Sequence, residues 1–381
     1  MKLNPRCALM PMLCTACFLS VFFVYNKLFL KKEDPSIIIK EIPNMDPDDP
    51  FTTPLKGYLV TSSSRGGRRR TPDKSKCLIQ CTHGIPCEYP DELDFRIVVL
   101  TFNRSESLRK CLHHLHALDT LGDDVGVDIW IDRNKKGVVD EETVQIANDF
   151  AVNWIKGRAC VHMQTKNAYI TGQWIDTWRP KPNTKELALI LEDDIDLAPL
   201  AYKWIKAVRS HYSKNPDIAG YTLKMENVKT YIGWKTFSVP ASDSVFLSAG
   251  FGPWGFVPDP DFWRSFQDWY HVQREDPDFR PYVPRIELTK WYKQGKGDSV
   301  WELWFVYYCF VQKRYTLFPN LLAYTGRKNV LLDTNRMEKG LHFPKALKNN
   351  KSKFLMRTWS DHYVKFPVKT KLYYYDGKEI K

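Results

Sequence analysis

The sequence contains no helix-turn-helix, zinc-finger or RNA-recognition motif, although its 381 residues carry a formal net charge of +12. Proteins that bind nucleic acid usually show such a motif, so nucleic acid is a weak option as a partner. The positive charge is spread along the chain and fits anionic small substrates or membrane headgroups equally well. With 43% hydrophobic and 14% aromatic residues, the chain has enough apolar surface for a substantial core, which excludes global disorder.

Charged residues are absent between Ala8 and Tyr25, and the apolar run continues to about residue 30. Its length is close to the roughly 20 residues that span a bilayer. Since no small-x-small cleavage site follows, the run predicts a retained signal anchor rather than a cleaved signal peptide. Basic residues flank both ends, so the positive-inside rule alone does not fix the orientation. We expect a cytoplasmic tail at residues 1–7 and a membrane anchor at residues 8–30.

The cysteines beyond the apolar run lack the paired C-x-x-C spacing that is typical of structural zinc sites. Six of the nine lie beyond the apolar run, namely Cys77, Cys81, Cys87, Cys111, Cys160 and Cys309. An even number beyond an anchor favours disulfides in an oxidising compartment. The first three surround His83, which leaves zinc as the alternative. Residues 31–94, which contain this Cys cluster, are rich in Pro, Asp, Ser and Gly and predict a stem without a core of its own.

From Phe95 onward the pattern alternates between strands and helices. The predicted strands are residues 95–102, 125–131, 160–163 and 187–191. Leucines at helical spacing between the first two, Leu108, Leu112 and Leu115, predict an amphipathic helix. Alternation at this spacing predicts an α/β fold with a parallel, doubly wound sheet. The alternation fades after about residue 218, and residues 346–381 read as a basic, weakly patterned tail.

Four carboxylates follow the most apolar of these strands. They are Glu192, Asp193, Asp194 and Asp196. Ligands bind at the carboxyl ends of strands in open α/β sheets, and clustered acids repel one another unless a cation offsets their charge. Hard oxygen ligands select Mg²⁺ or Mn²⁺. The segment therefore predicts a metal or ligand site, and the alternative is a solvated acidic turn that caps the next helix.

Taken together, an anchor, a stem, an α/β nucleotide-binding half and an Asp-x-Asp-like turn resemble a single-pass Golgi glycosyltransferase of the GT-A fold. Four segments are similar to the N-acetylglucosaminyltransferase I family, namely residues 99–105, 130–132 with 140–147, 191–199 and 252–255. The third is the most specific, because its Glu-Asp-Asp-Ile-Asp-Leu-Ala-Pro run closely matches the family's Glu-Asp-Asp-Leu-Glu-Val-Ala-Pro. The resemblance implies a catalytic domain at residues 95–345, with a nucleotide-sugar half (95–200) and an acceptor half with a lid (201–345).

The resemblance also implies a donor, a metal and the residues that hold them. The donor would be a UDP-sugar, UDP-GlcNAc in the family, and the metal Mn²⁺ or Mg²⁺. Arg104 and Asp132 would contact the uridine. Asp194 would bind the metal, and Glu192 and Asp193 would hold the sugar, the ribose or metal-bound water. The further candidates are Asp196 and His342 as metal ligands, and Arg327, Lys328, Arg336 and Lys339 as contacts to the diphosphate.

An inverting transferase needs a carboxylate that accepts the proton of the acceptor hydroxyl. The family's Trp-Asp-Asp-Trp segment, whose second Asp is the base, corresponds here to Trp-Glu-Leu-Trp, so Leu303 stands at the base position. The candidates nearby are Glu302 and Asp298, which would share one face if the segment were helical, and Glu302 is favoured slightly. The missing aspartate supports a second hypothesis, a catalytically silent relative that binds glycan or a partner protein. A nuclease would need a second cluster of His and Asp, which the sequence lacks.

The same resemblance implies a glycan or glycoprotein acceptor and a Golgi membrane protein whose catalytic domain faces the lumen. Neither the identity of the acceptor nor the oligomeric state follows from the sequence, because fold does not determine substrate.

Overall fold

The computed structural model describes residue 77 and residues 84–224, 237–338 and 351–380, except for the side chain of residue 298. The predicted anchor at residues 8–30 and most of the predicted stem lie outside these described residues. Residues 69–381 belong to one compact unit. In the described part of the chain, no helix combines the length and the apolar character needed to cross a bilayer.

Strands and helices alternate over the first half of the described chain. The strands are β1 (Phe95–Thr101), β2 (Val125–Ile131), β3 (Ala159–Met163), β4 (Leu187–Glu192), β5 (Ile195–Leu197), β6 (Ile218–Thr222), β7 (Val245–Ser248), β8 (Phe256–Pro258), β9 (Tyr315–Pro319), β10 (Asp333–Asn335), β11 (Leu372–Tyr373) and β12 (Glu379–Ile380). The helices are α1 (Ser105–His116), α2 (Glu141–Asn153), α3 (Tyr169–Asp176), α4 (Ala201–Tyr212), α5 (Pro260–Gln273), α6 (Glu287–Trp291), α7 (Glu302–Gln312) and α8 (Leu321–Thr325).

Ten of these strands form one sheet in the order β12-β11-β7-β9-β6-β8-β4-β1-β2-β3. β1 pairs in parallel with both β2 and β4, and β2 with β3, so one half of the sheet is parallel. β8 joins this half to the rest through antiparallel pairs with β4 and β6. The predicted α/β fold is confirmed in this coarse form, with a sheet that is mixed rather than parallel throughout.

Both faces of the parallel half are covered, which explains the unbroken apolar runs in its strands. Ile97 and Val99 of β1 belong to one buried cluster together with residues of α1 and α2. The alternate residues, Val98 and Leu100, belong to a second cluster that contains Trp174. Since successive side chains of a strand point to opposite faces, a strand buried on both faces has no polar alternation.

The segment before β1 is part of the fold rather than of a separate stem. Tyr89 is buried, and the backbone of Cys87 exchanges hydrogen bonds of 2.7 Å with Asp176 and Arg179. Cys77 forms a disulfide with Cys160 of β3. The predicted stem at residues 31–94 therefore extends too far toward the C terminus, because residues 84–94 pack on the sheet.

The cysteine and C-terminal predictions are each corrected in part. Cys87 is also disulfide-bonded, but Cys111 and Cys309 are buried free thiols, so not all cysteines beyond the apolar run are paired. Residues 351–380 are not a simple basic tail. β11 adds to β7 in parallel, and Met356 and Tyr363 are buried in the core.

Candidate functional site

The carboxyl ends of β1, β2 and β4 lie side by side because of their register. Leu100 of β1 is paired with Trp130 of β2 and with Glu192 of β4. The backbone N–H of Asp193 donates to the carbonyl of Leu100 at 3.0 Å. Asp132 is joined in the same way to the next residue of β1, at 2.9 Å. The predicted site residues that follow these strands are therefore brought to one edge of the sheet, where ligands of α/β folds bind.

A single arginine contacts two of the acids at this edge. The Nη1 atom of Arg104 lies 3.2 Å from Oδ2 of Asp194, and its Nη2 donates to Oδ1 of Asp193. The other oxygen of Asp193 accepts a hydrogen bond of 2.6 Å from Thr101 Oγ1. Arg104 was predicted to contact uridine, and here its guanidinium lies against the carboxylates.

Neutral donors hold one carboxylate oxygen of Glu192 and one of Asp194. Trp174 Nε1 donates to Glu192 Oε1 at 3.1 Å, and Asn335 Nδ2 donates to Asp194 Oδ1 at 3.1 Å. We refer to Glu192, Asp193 and Asp194 as the edge acids. The sequence analysis did not identify Thr101, Trp174 or Asn335 as site residues, and only Thr101 carried a signal, since it ends the first strand of the edge.

The edge acids carry more negative charge than the described basic side chains offset. Burial and the charge of Asp194 raise the pKa of Glu192 to about 8. Burial raises the pKa of Asp193 to about 6, although Arg104 opposes the shift. Raised carboxylate pKa values mean that the ionised forms are disfavoured here, so a bound cation would gain free energy by restoring them.

The donor chemistry of the edge acids fits a hard divalent cation, because they supply carboxylate oxygens and no sulfur. Asp194, with Glu192 or Asp193, would hold it. The three side chains do not form a complete cage. Among the described residues, the only three ligand-type atoms within 4.8 Å of one another belong to Asp128, Cys160 and His162. Mg²⁺-type sites commonly use one or two carboxylates and complete the shell with substrate phosphates.

Asp196, predicted as a metal ligand, is bonded to other side chains of the protein. Its Oδ1 pairs with Nη1 of Arg336, and its Oδ2 accepts from Ser352 Oγ at 2.6 Å. His114 Nε2 lies 3.5 Å from the same Oδ2. Both oxygens are therefore engaged by protein groups in this conformation. His114 of α1 is buried.

The two candidate bases do not share a helix face as predicted. Asp298 belongs to a 3₁₀ turn, Gly297–Ser299, and α7 begins only at Glu302, because Val300 interrupts the helix with φ −122° and ψ 53°. The side chain of Asp298 is outside the described part of the structure. Leu303, at the position of the family's base, is fully buried in an apolar cluster.

Glu302 has the properties of a proton acceptor. It is partly buried, and burial raises its pKa to about 7 without a charged neighbour contributing to the shift. The preceding residue, Trp301, stacks on Trp174 with ring centroids 4.5 Å apart and an interplanar angle of 17°. Since Trp174 donates to Glu192, the start of α7 is two ring layers away from the edge acids.

The remaining predicted contacts differ in where the structure places them. Arg327 and Lys328 are exposed in the turn after α8, and within the described chain no hydrogen bond or ion pair joins either one to the edge acids. Asp132 Oδ1 accepts 2.8 Å hydrogen bonds from the backbone N–H groups of Arg133 and Ala168, and so fixes the start of α3. His342 lies outside the described residues.

Comparisons with known proteins give partial likenesses. The family described as the SPBC1E8.03c C-terminal domain matches residues 107–279, which is less than half of the chain and includes the edge acids. No curated protein matches the chain.

Among solved structures, TarS 1–349 of S. aureus is 14% identical, with a TM-score of 0.34 over 59% of this chain and 60% of that chain. The same protein in complex with UDP-GlcNAc gives 11% identity and a TM-score of 0.34, over 59% and 56% of the two chains. The mannosyltransferase PcManGT from Pyrobaculum calidifontis, in complex with GDP-Man and Mn²⁺, gives 10% and 0.33 over 58% and 72%. Likenesses of this size leave the activity to be argued from the chain's own residues.

Proposed function

We propose that the protein is a metal-dependent glycosyltransferase that moves a sugar, GlcNAc in this proposal, from a UDP-sugar to a glycan or glycoprotein. The observation that carries the proposal is the excess of buried carboxylate over described basic side chains at the carboxyl edge of the parallel strands. Three acids face one guanidinium there, and two of the acids have raised pKa values. Such a site is complementary to a cation together with an anionic ligand.

In this proposal the residues at the sheet edge have different roles. Arg104 and Asp132 follow β1 and β2 at the position where a nucleotide enters an α/β sheet, so we assign the uridine to them. Asp194 would hold Mn²⁺, and Glu192 and Asp193 would contact the sugar or the ribose. A bound Mn²⁺ would neutralise negative charge on the leaving diphosphate.

Glu302 is the base in this proposal. The acceptor hydroxyl oxygen forms the new bond to the anomeric carbon while the bond from that carbon to the diphosphate oxygen breaks. The hydroxyl proton passes to the Glu302 carboxylate, which must be ionised beforehand. A pKa near 7 is well matched to this task, because the carboxylate is then basic enough to accept a proton and is still ionised in a large fraction of molecules. Attack from the face opposite the diphosphate would invert the anomeric centre.

The location proposed with this activity is the Golgi membrane, with the anchor at residues 8–30 and the catalytic domain in the lumen. Three disulfide-bonded cysteines outside the anchor, Cys77, Cys87 and Cys160, support an oxidising compartment. Fractionation of cells that express the chain, with protease protection of residues 84–380, tests this part of the proposal.

The activity is tested with the full-length chain in detergent, a panel of nucleotide sugars, Mn²⁺ and a mixed glycan acceptor. UDP release from one donor, lost with EDTA and in Asp194→Asn, is the expected result. Asp149→Asn, an exposed acid on α2, is the matched control and should retain full activity.

Two results contradict the proposal in different ways. No nucleotide binding in any condition would remove the nucleotide role of the edge acids altogether. Binding that depends on Mn²⁺ and Asp194, without turnover on any acceptor, would instead favour the catalytically silent relative. The observation that favours this second function is that Leu303 occupies the base position and is buried in an apolar cluster.

A further inference from the structure

Residues 335 and 336 contact the acidic turn from a distant part of the chain. They end the two-stranded ribbon of β5 and β10, in which Asn335 pairs with Ile195 and Thr334 with Asp196. The backbone N–H of Arg336 donates to the carbonyl of Asp194 at 2.9 Å, and Asn335 Nδ2 donates to the Asp194 carboxylate. The main chain and the side chain of the proposed metal ligand are thus both held by this ribbon.

The guanidinium of Arg336 reaches four groups around the same turn. Its Nη1 pairs with Asp196, and its Nη2 donates to the carbonyl of Asp193 at 2.6 Å and to both oxygens of Ser107 at 2.8 Å. Its Nε donates to Glu338 at 2.7 Å. The side chain is only 10% exposed, so these bonds are made largely out of water. A guanidinium fixed by several hydrogen bonds in this way restrains the geometry of the turn and also balances the charge of a carboxylate.

We propose that Arg336 is a positioning residue for the metal site, and that Asp196 is its counter-ion rather than a metal ligand. Arg336, Asn335, Asp196 and Ser107, the Arg336 clamp, would hold the peptide between Asp193 and Asp194 against the first turn of α1. This fixes the direction in which the Asp194 carboxylate is presented. The inference rests on the proposed function, since it needs Asp194 to bind a cation.

The direction in which Arg336→Ala changes the Mn²⁺ affinity distinguishes the two possible roles of Asp196, metal ligand or counter-ion. If Asp196 were a ligand blocked by a competing guanidinium, Arg336→Ala would free its carboxylate and leave Mn²⁺ binding unchanged or tighter. If Arg336 positions the turn, the same substitution weakens Mn²⁺ binding, because residues that orient metal ligands usually contribute roughly 10- to 100-fold to metal affinity.

The experiment measures Mn²⁺ binding to the full-length chain by electron paramagnetic resonance of the free ion, with UDP present. We expect Arg336→Ala to weaken the affinity roughly 10- to 100-fold. Arg336→Lys, which keeps the charge and loses the fork, should fall between that variant and the wild type. UDP binding without metal is measured in parallel by calorimetry and should not change, whereas a general loss of structure would weaken both.

Arg209→Ala is the matched control, because it removes another partly buried arginine, on α4, that is paired with an aspartate, Asp259, at the N-cap of α5. Urea midpoints identify any variant that fails to fold, and Arg336→Lys then decides alone. Wild-type affinity in both Arg336 variants would overturn the clamp and leave the proposed function standing. A wild-type chain that binds no Mn²⁺ with UDP would overturn both.

Discussion

Two groups of buried carboxylates lie on the parallel half of the sheet, and they differ in how their charge is balanced. Toward the start of the strands, Arg96 contacts Asp128, Glu186 and Asp91, with atoms 2.7 to 3.1 Å apart. Arg158 contacts two of the same acids. We call these five residues the internal network. At the other end of the strands, Arg104 pairs with the carboxylates of two of the three edge acids, Asp193 and Asp194, while the nearby Arg336 is paired with Asp196.

The pKa values follow this difference. In the internal network, the charge of Arg96 lowers the pKa of Asp128 despite complete burial. At the edge, burial raises the pKa of Glu192 to about 8. Buried carboxylates that are matched by cations inside the protein serve the fold, whereas unmatched ones mark a place where charge must come from a ligand.

Proximity of ligand-type atoms alone would select the wrong group. Asp128, Cys160 and His162 are the three described residues whose ligand atoms cluster within 4.8 Å. Cys160 is in a disulfide, and Asp128 already receives Arg96, Arg158 and His162. The charge balance, rather than the number of donors, distinguishes the candidate metal site.

The largest expected effect is on the internal network. Arg96→Met should destabilise the protein by about 3–5 kcal/mol, because it leaves Asp128 and Glu186 buried with too few partners. Arg104→Met should cost only about 1 kcal/mol at pH 6, where the edge acids can take up protons instead. Urea unfolding of both variants measures the contrast. Equal losses of unfolding free energy would show that the internal network and the edge acids do not differ in how their charge is balanced.

The second effect concerns catalysis at the edge. Glu302→Gln should lower turnover by roughly 10²- to 10⁴-fold with donor binding unchanged, because it removes the proton acceptor. In the wild type, turnover should rise with pH up to about 7 and then level off, since the ionised carboxylate is the active form. Asp298→Asn is the comparison variant. If it lost more activity than Glu302→Gln, the base would be Asp298.

Local sequence patterns predicted the edge but not the charge balance. Val125–Ile131 is a strand with the predicted bounds, and Asp140 caps α2 through Thr143 N at 3.0 Å. Such features depend on neighbours within a few residues, so apolar runs and cap residues report them. The positions of β1, β2 and β4 along the chain, and the acids that follow β4, came from the same kind of signal.

What could not be predicted depends on contacts between distant residues. Asp196 pairs with Arg336, 140 positions away, and Arg96 with Glu186, 90 positions away. No periodicity in the sequence indicates such a pairing, so the partners of Asp196 could not be predicted. The break at Val300 separated Asp298 from Glu302 for a similar reason, since the turn packs against α3 rather than following helical propensity.

A smaller effect is expected from pH on stability at the edge. The folded-state pKa of Glu192, about 8, lies above its ordinary value near 4.5, so its contribution to stability is present below about pH 4.5 and is lost as the pH rises to 8. Glu192→Gln cannot ionise and should be more stable than the wild type by about 2 kcal/mol at pH 9, and by little at pH 4.5. Urea midpoints in EDTA across this range provide the measurement. An advantage that does not grow with pH would contradict the assignment.

The smallest effect on the free energy of unfolding should come from ion pairs exposed to solvent. These pairs test whether burial or pairing explains the contrast between the internal network and the edge acids. Glu106 on α1 contacts Arg109 at 3.2 Å and Lys110 at 3.6 Å, and all three side chains are about half exposed or more. Glu106→Gln should change the free energy of unfolding by less than about 0.5 kcal/mol, and 0.5 M NaCl should remove even that difference, because water and salt screen exposed charges. A loss as large as that of Arg96→Met would mean that pairing itself stabilises this protein. A negligible loss leaves burial as the reason why matched acids serve the fold and unmatched acids invite a cation.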